Sequence, residues 1–378
     1  MKGRFLGVVL ALSGVLTAQT HKPRARDLGV PFDGRAGKLN AITDVAGVEV
    51  GYTTLISGEG RLRVGQGPVR TGVTAILPRG KASSDPVFGA WFSLNGNGEM
   101  TGTTWLEESG FLDGPVMITN THSVGVVHDA VIAWQRRRAP SGDSWSLPVV
   151  AETWDGLLND INGFHVKPEH AFHALDSAAG GAIAEGNVGG GTGMVCNEFK
   201  GGTGTASRLV EIEKTQYTVG VLVQCNYGLR PNLLIAGVPV GKEIPEEPAY
   251  KQEAGSIIIV VATDAPLLPQ QLKRLARRAA MGVARTGSIA GNGSGDIFIS
   301  FSTANPGAAT AKGTASARFL PNEQMNPLFQ GTIEAVDEAI VNAMVAAETM
   351  TGVDGHRVIA LPHERLREVL KKYNRLAH

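Results

Sequence analysis

The chain has 378 residues, 43% of them hydrophobic and 19% charged, which supports a sizeable buried core and excludes an intrinsically disordered protein. Its 35 basic and 35 acidic side chains cancel, so no global field draws it to nucleic acid or to an anionic membrane, and a compact neutral substrate is the simpler expectation. The 49 glycines, roughly twice the usual share of about 7%, cluster instead of repeating, which excludes collagen and solenoids and indicates tight turns and close backbone approach.

Lys2 and Arg4, an apolar run over residues 5–16 and small residues ending at Ala18 read as a secretory signal. Residues 1–18 are therefore set apart from the fold, and a periplasmic or secreted location is expected. The run is shorter than the about 20 apolar residues a membrane-spanning helix needs. Residues 28–51 read as loop and short strand, and 72–77 and 115–119 as strands rich in β-branched residues between Gly/Asn turns. Helical patterns cover 127–137 and 168–179. Residues 216–224 form a buried strand that runs into Cys225 and Asn226. Cys196 and Cys225 are the only cysteines, too few for a disulfide scaffold, and their pairing is not legible from spacing.

Residues 228–254 turn polar and irregular, with four prolines and an acidic run, and read as a linker or flap. Ser256 then opens an aliphatic run, 256–262, that is a central strand. Leu272, Leu275, Ala276, Ala279, Ala280 and Val283 recur at helical spacing, with Lys273, Arg274, Arg277 and Arg278 on the solvated face. A Gly-rich turn at 291–295 precedes a strand at 296–302, and helices over 327–350 and 364–374 complete the chain. Strand layers alternating with helices, without regular βαβ punctuation, predict an α/β fold with two sheets between helices. No repeat or low-complexity tract is present.

A serine hydroxyl is a weak nucleophile until a base takes its proton, and no Gly-x-Ser-x-Gly elbow stands between a strand and a helix here. A serine at a chain's first position has its own α-amine, with a pKa of about 7.7–8.0, as that base. This requires a cut between Gly255 and Ser256. Glycine there does not obstruct attack by the Ser256 hydroxyl, and the stretch before it would let the new end swing away. On the residues alone, Gly-Ser before a strand is a common dipeptide.

Several long strings carry a resemblance. They are Pro23-Arg-Ala-Arg-Asp-Leu-Gly, Asn40-Ala-Ile-Thr-Asp-Val-Ala-Gly-Val-Glu-Val-Gly-Tyr, Ser93-Leu-Asn-Gly-Asn-Gly-Glu-Met, Thr119-Asn-Thr-His-Ser-Val-Gly, Gly189-Gly-Gly-Thr-Gly-Met and Gly255-Ser-Ile-Ile-Ile-Val-Val-Ala-Thr-Asp-Ala-Pro. Together they resemble the D-aminopeptidase family, the S58 peptidases, which includes L-aminopeptidase/D-amidase/D-esterase enzymes and β-peptidyl aminopeptidases. The likeness spans nearly the whole chain after the signal. It implies an α-β-β-α sandwich similar to N-terminal-nucleophile hydrolases but differently connected, one catalytic domain self-cleaved into 19–255 and 256–378, and a tetramer of such two-chain units.

Carried over by position, Ser256 matches the nucleophile, Ser294 and Asp296 the hydroxyl and carboxylate beside it, and Asn226 the amide donor of an oxyanion hole. Asn226 and Ser294 would otherwise read as turn residues. Glu152 matches the carboxylate that pairs with the substrate's free amino group. Trp154, beside it, departs from a tyrosine in the family; an indole donates through its N–H but is no phenol acid. The substrate implied is a small peptide, amide or ester with a free amino group, with no metal or other cofactor; preference among L-, D- and β-amino acids is not legible.

Among other features, His165, His170 and His173 lack the third-ligand pattern of a zinc site and read as surface or capping residues. The run 189–193 lacks the lysine of a phosphate loop. Both it and 201–204 read as tight turns near a cleft. The alternatives are an acyl transferase like the ornithine acetyltransferases, which cut before threonine, and an exported binding protein that needs no cut.

Overall fold

In the computed structural model, which describes residues 22–138, 145–250, 255–310 and 312–377, the apolar stretches pair into two facing sheets. The expected signal lies outside the described residues. The chain first forms β1 (Glu49–Ser57), β2 (Val69–Leu77), β3 (Val87–Ser93), α1 (Thr103–Ser109) and the short β4 (Phe111–Leu112). Next come β5 (Val116–Asn120), α2 (Val124–Arg138), β6 (Val149–Thr153) and α3 (Pro168–Ser177). A small hairpin, β7 (Val195–Cys196) with β8 (Phe199–Lys200), leads into the long β9 (Gly202–Ile212) and β10 (Thr215–Asn226). After α4 (Val240–Glu243) follow β11 (Ser256–Thr263), α5 (Pro269–Arg285), β12 (Ile297–Ser302), α6 (Asn326–Val345) and α7 (His363–Lys372).

One sheet has four strands in the order β1-β2-β5-β6, the other six in the order β4-β3-β12-β11-β10-β9. Alternation along β11 shows how the layers form. Ile257, Ile259 and Val261 pack with Leu272, Leu275 and Ala276 of α5 and with α6, while Ile258 and Val260 face Ile76, Val116 and Ile118 of the other sheet. The four-stranded sheet buries Val73, Ala75 and Met117 under α2 and α3. The result is the expected α-β-β-α sandwich, with β11 buried on both faces and so without a polar alternation to read.

The six-stranded sheet is continuous across residue 255, because β10 pairs with β11 antiparallel from Val219↔Thr263 to Asn226↔Ser256. Residues on either side also meet in ion pairs, Arg26 with Glu338 at 2.7 Å and Arg208 with Glu338 at 2.8 Å.

Three expectations are corrected. Residues 201–204 are no turn: Gly202 begins β9, and a Cβ on Gly204 would stand 2.0 Å from the Ala339 oxygen of α6. Glycine there lets helix and strand approach closely. Nor is 228–250 a loose flap. Leu233, Ile235, Val238 and Val240 are buried, and the buried Arg230 guanidinium donates to the carbonyls of Asn197, Glu198, Ile244 and Glu246, stacked on Phe199. Tyr250 Oη donates to Gly228 O at 2.7 Å, which ties the far end of this segment back to its start. The long helix ends at Val345, not 350. Cys196 and Cys225 form a disulfide with Cα atoms 5.5 Å apart, because β7 lies against the end of β10.

Candidate active site

The strand ends β10 and β11 place Asn226 opposite Ser256. Both share the parity of Leu222, Ile258 and Val260, which face the space between the sheets. Ser256 is buried, and its Oγ accepts the Gly295 N–H at 2.9 Å. Gly295 lies in the turn before β12, the strand parallel to β11, so the 291–295 turn arrives beside the start of β11. The same turn delivers Ser294 and Asp296. Ser294 Oγ donates to Asp296 Oδ1 at 2.5 Å, which also accepts the Ile257 N–H at 3.2 Å. Asp296, itself held by Ser294, thus fixes the first peptide of β11, while the Ser256 hydroxyl is met by a backbone N–H. The 93–98 loop supports this turn: Asn95 Oδ1 accepts the Asp296 N–H, and Asn97 Nδ2 donates to Gly293 O.

Gly255 has a stronger reason to be glycine than an open approach for the hydroxyl. A Cβ there would stand 1.9 Å from the Asn226 carbonyl oxygen. The Asn226 side chain is held at both ends: Oδ1 accepts the Val195 N–H at 2.7 Å and Nδ2 donates to Trp154 O at 2.8 Å. A side-chain amide has two Nδ2 hydrogens, so one remains for a further acceptor.

Glu152 is buried at the end of β6, with Oε1 accepting the Glu99 N–H at 2.9 Å and Oε2 accepting from the Thr121 hydroxyl. Burial pushes its carboxyl above its ordinary value; the hydrogen bonds from Thr121 and Glu99 oppose the shift. It adjoins the serine loop, since a Cβ on Gly98 would lie 3.3 Å from Glu152 Oε1 and 3.1 Å from Gly295 Cα. Trp154, 41% exposed as a residue, enters through its carbonyl, and its indole lies against Gly156. Asp155, wholly buried, is pushed up to about 7 by burial, against hydrogen bonds from Thr71, Asn159 and Asn120.

A buried serine, a side-chain amide with a spare hydrogen and a buried carboxylate therefore meet at one end of the sandwich. A family model of peptidase family S58 matches residues 40–358. The chain belongs to that family. Over 99% of its length this S58 peptidase is 57% identical to the β-peptidyl aminopeptidase BapA of Sphingosinicella microcystinivorans, covering 98% of that protein. It is 50% identical to BapA of Sphingosinicella xenopeptidilytica, over 96% of this chain and 94% of that one. Among solved structures, the L-aminopeptidase D-Ala-esterase/amidase of Ochrobactrum anthropi, a prototype serine aminopeptidase and a variant of the Ntn hydrolase fold, superposes with a TM-score of 0.89. The two chains share 50% identity over 94% of this chain and all of that one. A Burkholderia sp. β-aminopeptidase superposes with a TM-score of 0.87 at 47% identity, over 93% and 99% of the two chains. The fold of this S58 peptidase is therefore a variant of the Ntn hydrolase fold.

The other sequence candidates lie elsewhere. In this S58 peptidase His170 Nδ1 accepts the Lys167 N–H and caps α3, His173 meets Thr53 Oγ1, and His165 pairs with Asp160. The 189–191 segment is a buried turn, as expected. A cavity of about 360 Å³ lined by Arg79, Asp113, Gln135 and Trp145 contains none of the site residues. Sequence reasoning missed the Gly295 N–H, which has no side-chain signature, and the supports Asn95, Glu99 and Thr121. The strings 93–100 and 119–125 were the signal for these supports. It also missed Lys200, a lysine with no exposed surface.

Proposed function

We propose that this S58 peptidase cuts its own backbone between Gly255 and Ser256 and then works as an N-terminal-nucleophile serine aminopeptidase, amidase and esterase. One observation carries the reading: Ser256 Oγ, held by the Gly295 N–H, lies at the strand end opposite the Asn226 amide, directly after a glycine with no room for a side chain. In the precursor, Oγ attacks the Gly255 carbonyl carbon, the Ser256 nitrogen leaves, and water hydrolyses the resulting ester. The products are a Gly255 carboxylate and a free Ser256 α-amine.

In turnover that amine takes the Oγ proton as Oγ attacks the substrate carbonyl. The remaining Asn226 Nδ2 hydrogen meets the oxyanion, the protonated amine or alcohol departs, and water releases the acyl group. Ser294 and Asp296 orient the head of β11 and the new amine. Glu152 receives the substrate ammonium; without one, a buried carboxylate loses its counter-charge. Relatives with 57% and 50% identity are β-peptidyl aminopeptidases, which favours N-terminal β-residues as substrates.

A panel of L-, D-alanyl and β-homoalanyl p-nitroanilides, free and N-acetylated, tests this reading. Activity on acetylated compounds equal to that on free ones would rule out ammonium recognition. Glu152→Gln is expected to lower kcat/KM on free-amino substrates about 10- to 100-fold, the worth of a charge-assisted hydrogen bond of about 1.5–3 kcal/mol. Its stability should move the other way. A carboxyl whose folded pKa is raised stabilises the fold below its unfolded pKa and loses that contribution as pH rises through the folded value. At pH 8 Glu152→Gln should therefore melt no lower than the wild type, which separates loss of recognition from loss of folding.

Export to the periplasm or medium is part of this reading. Its supports are the N-terminal signal pattern and the Cys196–Cys225 disulfide, a bond that persists in oxidising compartments. Terminal sequencing of exported protein starting at residue 19 would bear it out, and retention in the cytoplasm would end it. Family likeness supports a homotetramer of two-chain units, checked by light scattering; a mass of one unit would contradict it.

A further inference from the structure

Lys200 is wholly buried, yet its Nζ faces no carboxylate among the described residues. It donates instead to three carbonyls, Met194 O at 2.7 Å, Gly201 O at 2.8 Å and Gly191 O at 3.5 Å. The first of these matters most. Met194 C=O and Val195 N–H are two ends of one peptide group, and the Val195 N–H donates to Asn226 Oδ1 at 2.7 Å. Asn226 in turn presents its Nδ2 hydrogens, one of them to Trp154 O.

A line of donors therefore runs from the Lys200 Nζ through one peptide and one side-chain amide, every bond oriented in the same sense. Hydrogen bonds in such a chain polarise one another, by about 10–30% per bond. Two features hold the line in place, one a strand pairing and the other covalent. Lys200 and Val195 are paired residues of the β7–β8 hairpin, and the disulfide joins Cys196, next to Val195, to Cys225, next to Asn226. The hairpin packs on the strand end that carries Asn226 and runs on through Gly201 into β9.

We propose that Lys200 is a positioning residue for the acyl-transfer reaction: through the Met194–Val195 peptide it orients and polarises the Asn226 amide, so that the Nδ2 hydrogens become better donors to a developing oxyanion. The inference rests on Asn226 being that donor. A leucine or methionine at 200 would fill the same space but remove the three Nζ hydrogen bonds, leaving Met194 O only the Gly201 N–H at 3.0 Å and the peptide less firmly held. Such a loss acts on the transition state and not on ground-state binding, so it appears in kcat and kcat/KM alike.

The test compares Lys200→Met and Lys200→Gln as processed two-chain enzymes, with one aminoacyl p-nitroanilide. Lys200→Met should lower kcat about 10-fold, less than loss of the oxyanion donor itself, with KM unchanged. Lys200→Gln, which keeps N–H donors without charge, should fall between it and the wild type. In an Asn226→Ala background, Lys200→Met should change kcat by less than about twofold, because coupled residues are not additive. A folded Lys200→Met enzyme with wild-type kcat overturns the proposal. So does an equal loss with and without Asn226, which would make Lys200 a general support of the fold. If circular dichroism shows Lys200→Met unfolded, the Gln variant and its own cycle with Asn226→Ala decide by the same criteria. Full activity of Asn226→Ala alone would instead remove the oxyanion reading on which the inference stands.

Discussion

Ser256→Ala is expected to remain a single polypeptide on a denaturing gel, while the wild type separates into fragments that meet between residues 255 and 256. The effect is all-or-none because the proposed cut has one nucleophile, the Ser256 Oγ, and alanine has no substitute atom. The fold should survive, since the other contacts of the β11 strand end are backbone or belong to Asp296 and Asn226. Under native conditions the wild-type fragments should elute together. β10 and β11 hydrogen-bond along Val219–Asn226 and Ser256–Thr263, and the buried Arg208–Glu338 pair also spans the break. Cleavage at 255 in the alanine variant would mean that another group makes the attack. Intact mass spectrometry, with a second chain beginning at Ser256, identifies the bond more closely than a gel can.

Asn226→Ala should lower kcat about 10²–10³-fold, the usual cost of deleting one preorganised oxyanion donor. Alanine also leaves the Val195 N–H without its acceptor, so a second replacement separates the two roles. Asn226→Asp keeps an acceptor for Val195 but has no Nδ2 hydrogens, and at neutral pH its charge repels both Trp154 O and an oxyanion. It should be at least as inactive as alanine, with the Val195 N–H still answered. Retention of more than about a tenth of wild-type kcat by a folded aspartate variant would move the oxyanion site elsewhere, since a full donor is worth about 2.7–4 kcal/mol. The assay is steady-state release of p-nitroaniline, with melting curves alongside.

The two strands that carry these residues differ in how openly they can be read. β11 is a run of isoleucine, valine and alanine that has nowhere to go but a sheet interior, and the end of β10 is nearly as plain. β9, its neighbour, begins Gly-Thr-Gly-Thr-Ala-Ser, which locally has the composition of a turn. It is a strand because α6 lies on it so closely that Gly204 has no room for a Cβ, and that constraint comes from residues more than a hundred positions away. Nearer contacts hide the order of residues 228–250, where Arg230 gathers carbonyls from both Asn197 and Ile244, pairings that local composition does not announce.

By itself the sequence determined the layer composition, the central strand opened by Ser256, and the set Ser256, Ser294, Asp296, Asn226 and Glu152, which stood out through long strings shared with a family. Local pattern and string likeness need only neighbouring residues. Tertiary structure alone decided that Gly295 offers its N–H to Ser256, that Trp154 contributes a carbonyl and lays its indole against Gly156, that the two cysteines join, and that Lys200 is buried behind Asn226. The physical reason is common to all four. A backbone N–H has no letter of its own, and a lysine reads the same whether water or three carbonyls surround it. Which groups meet depends on strands brought together from distant parts of the chain.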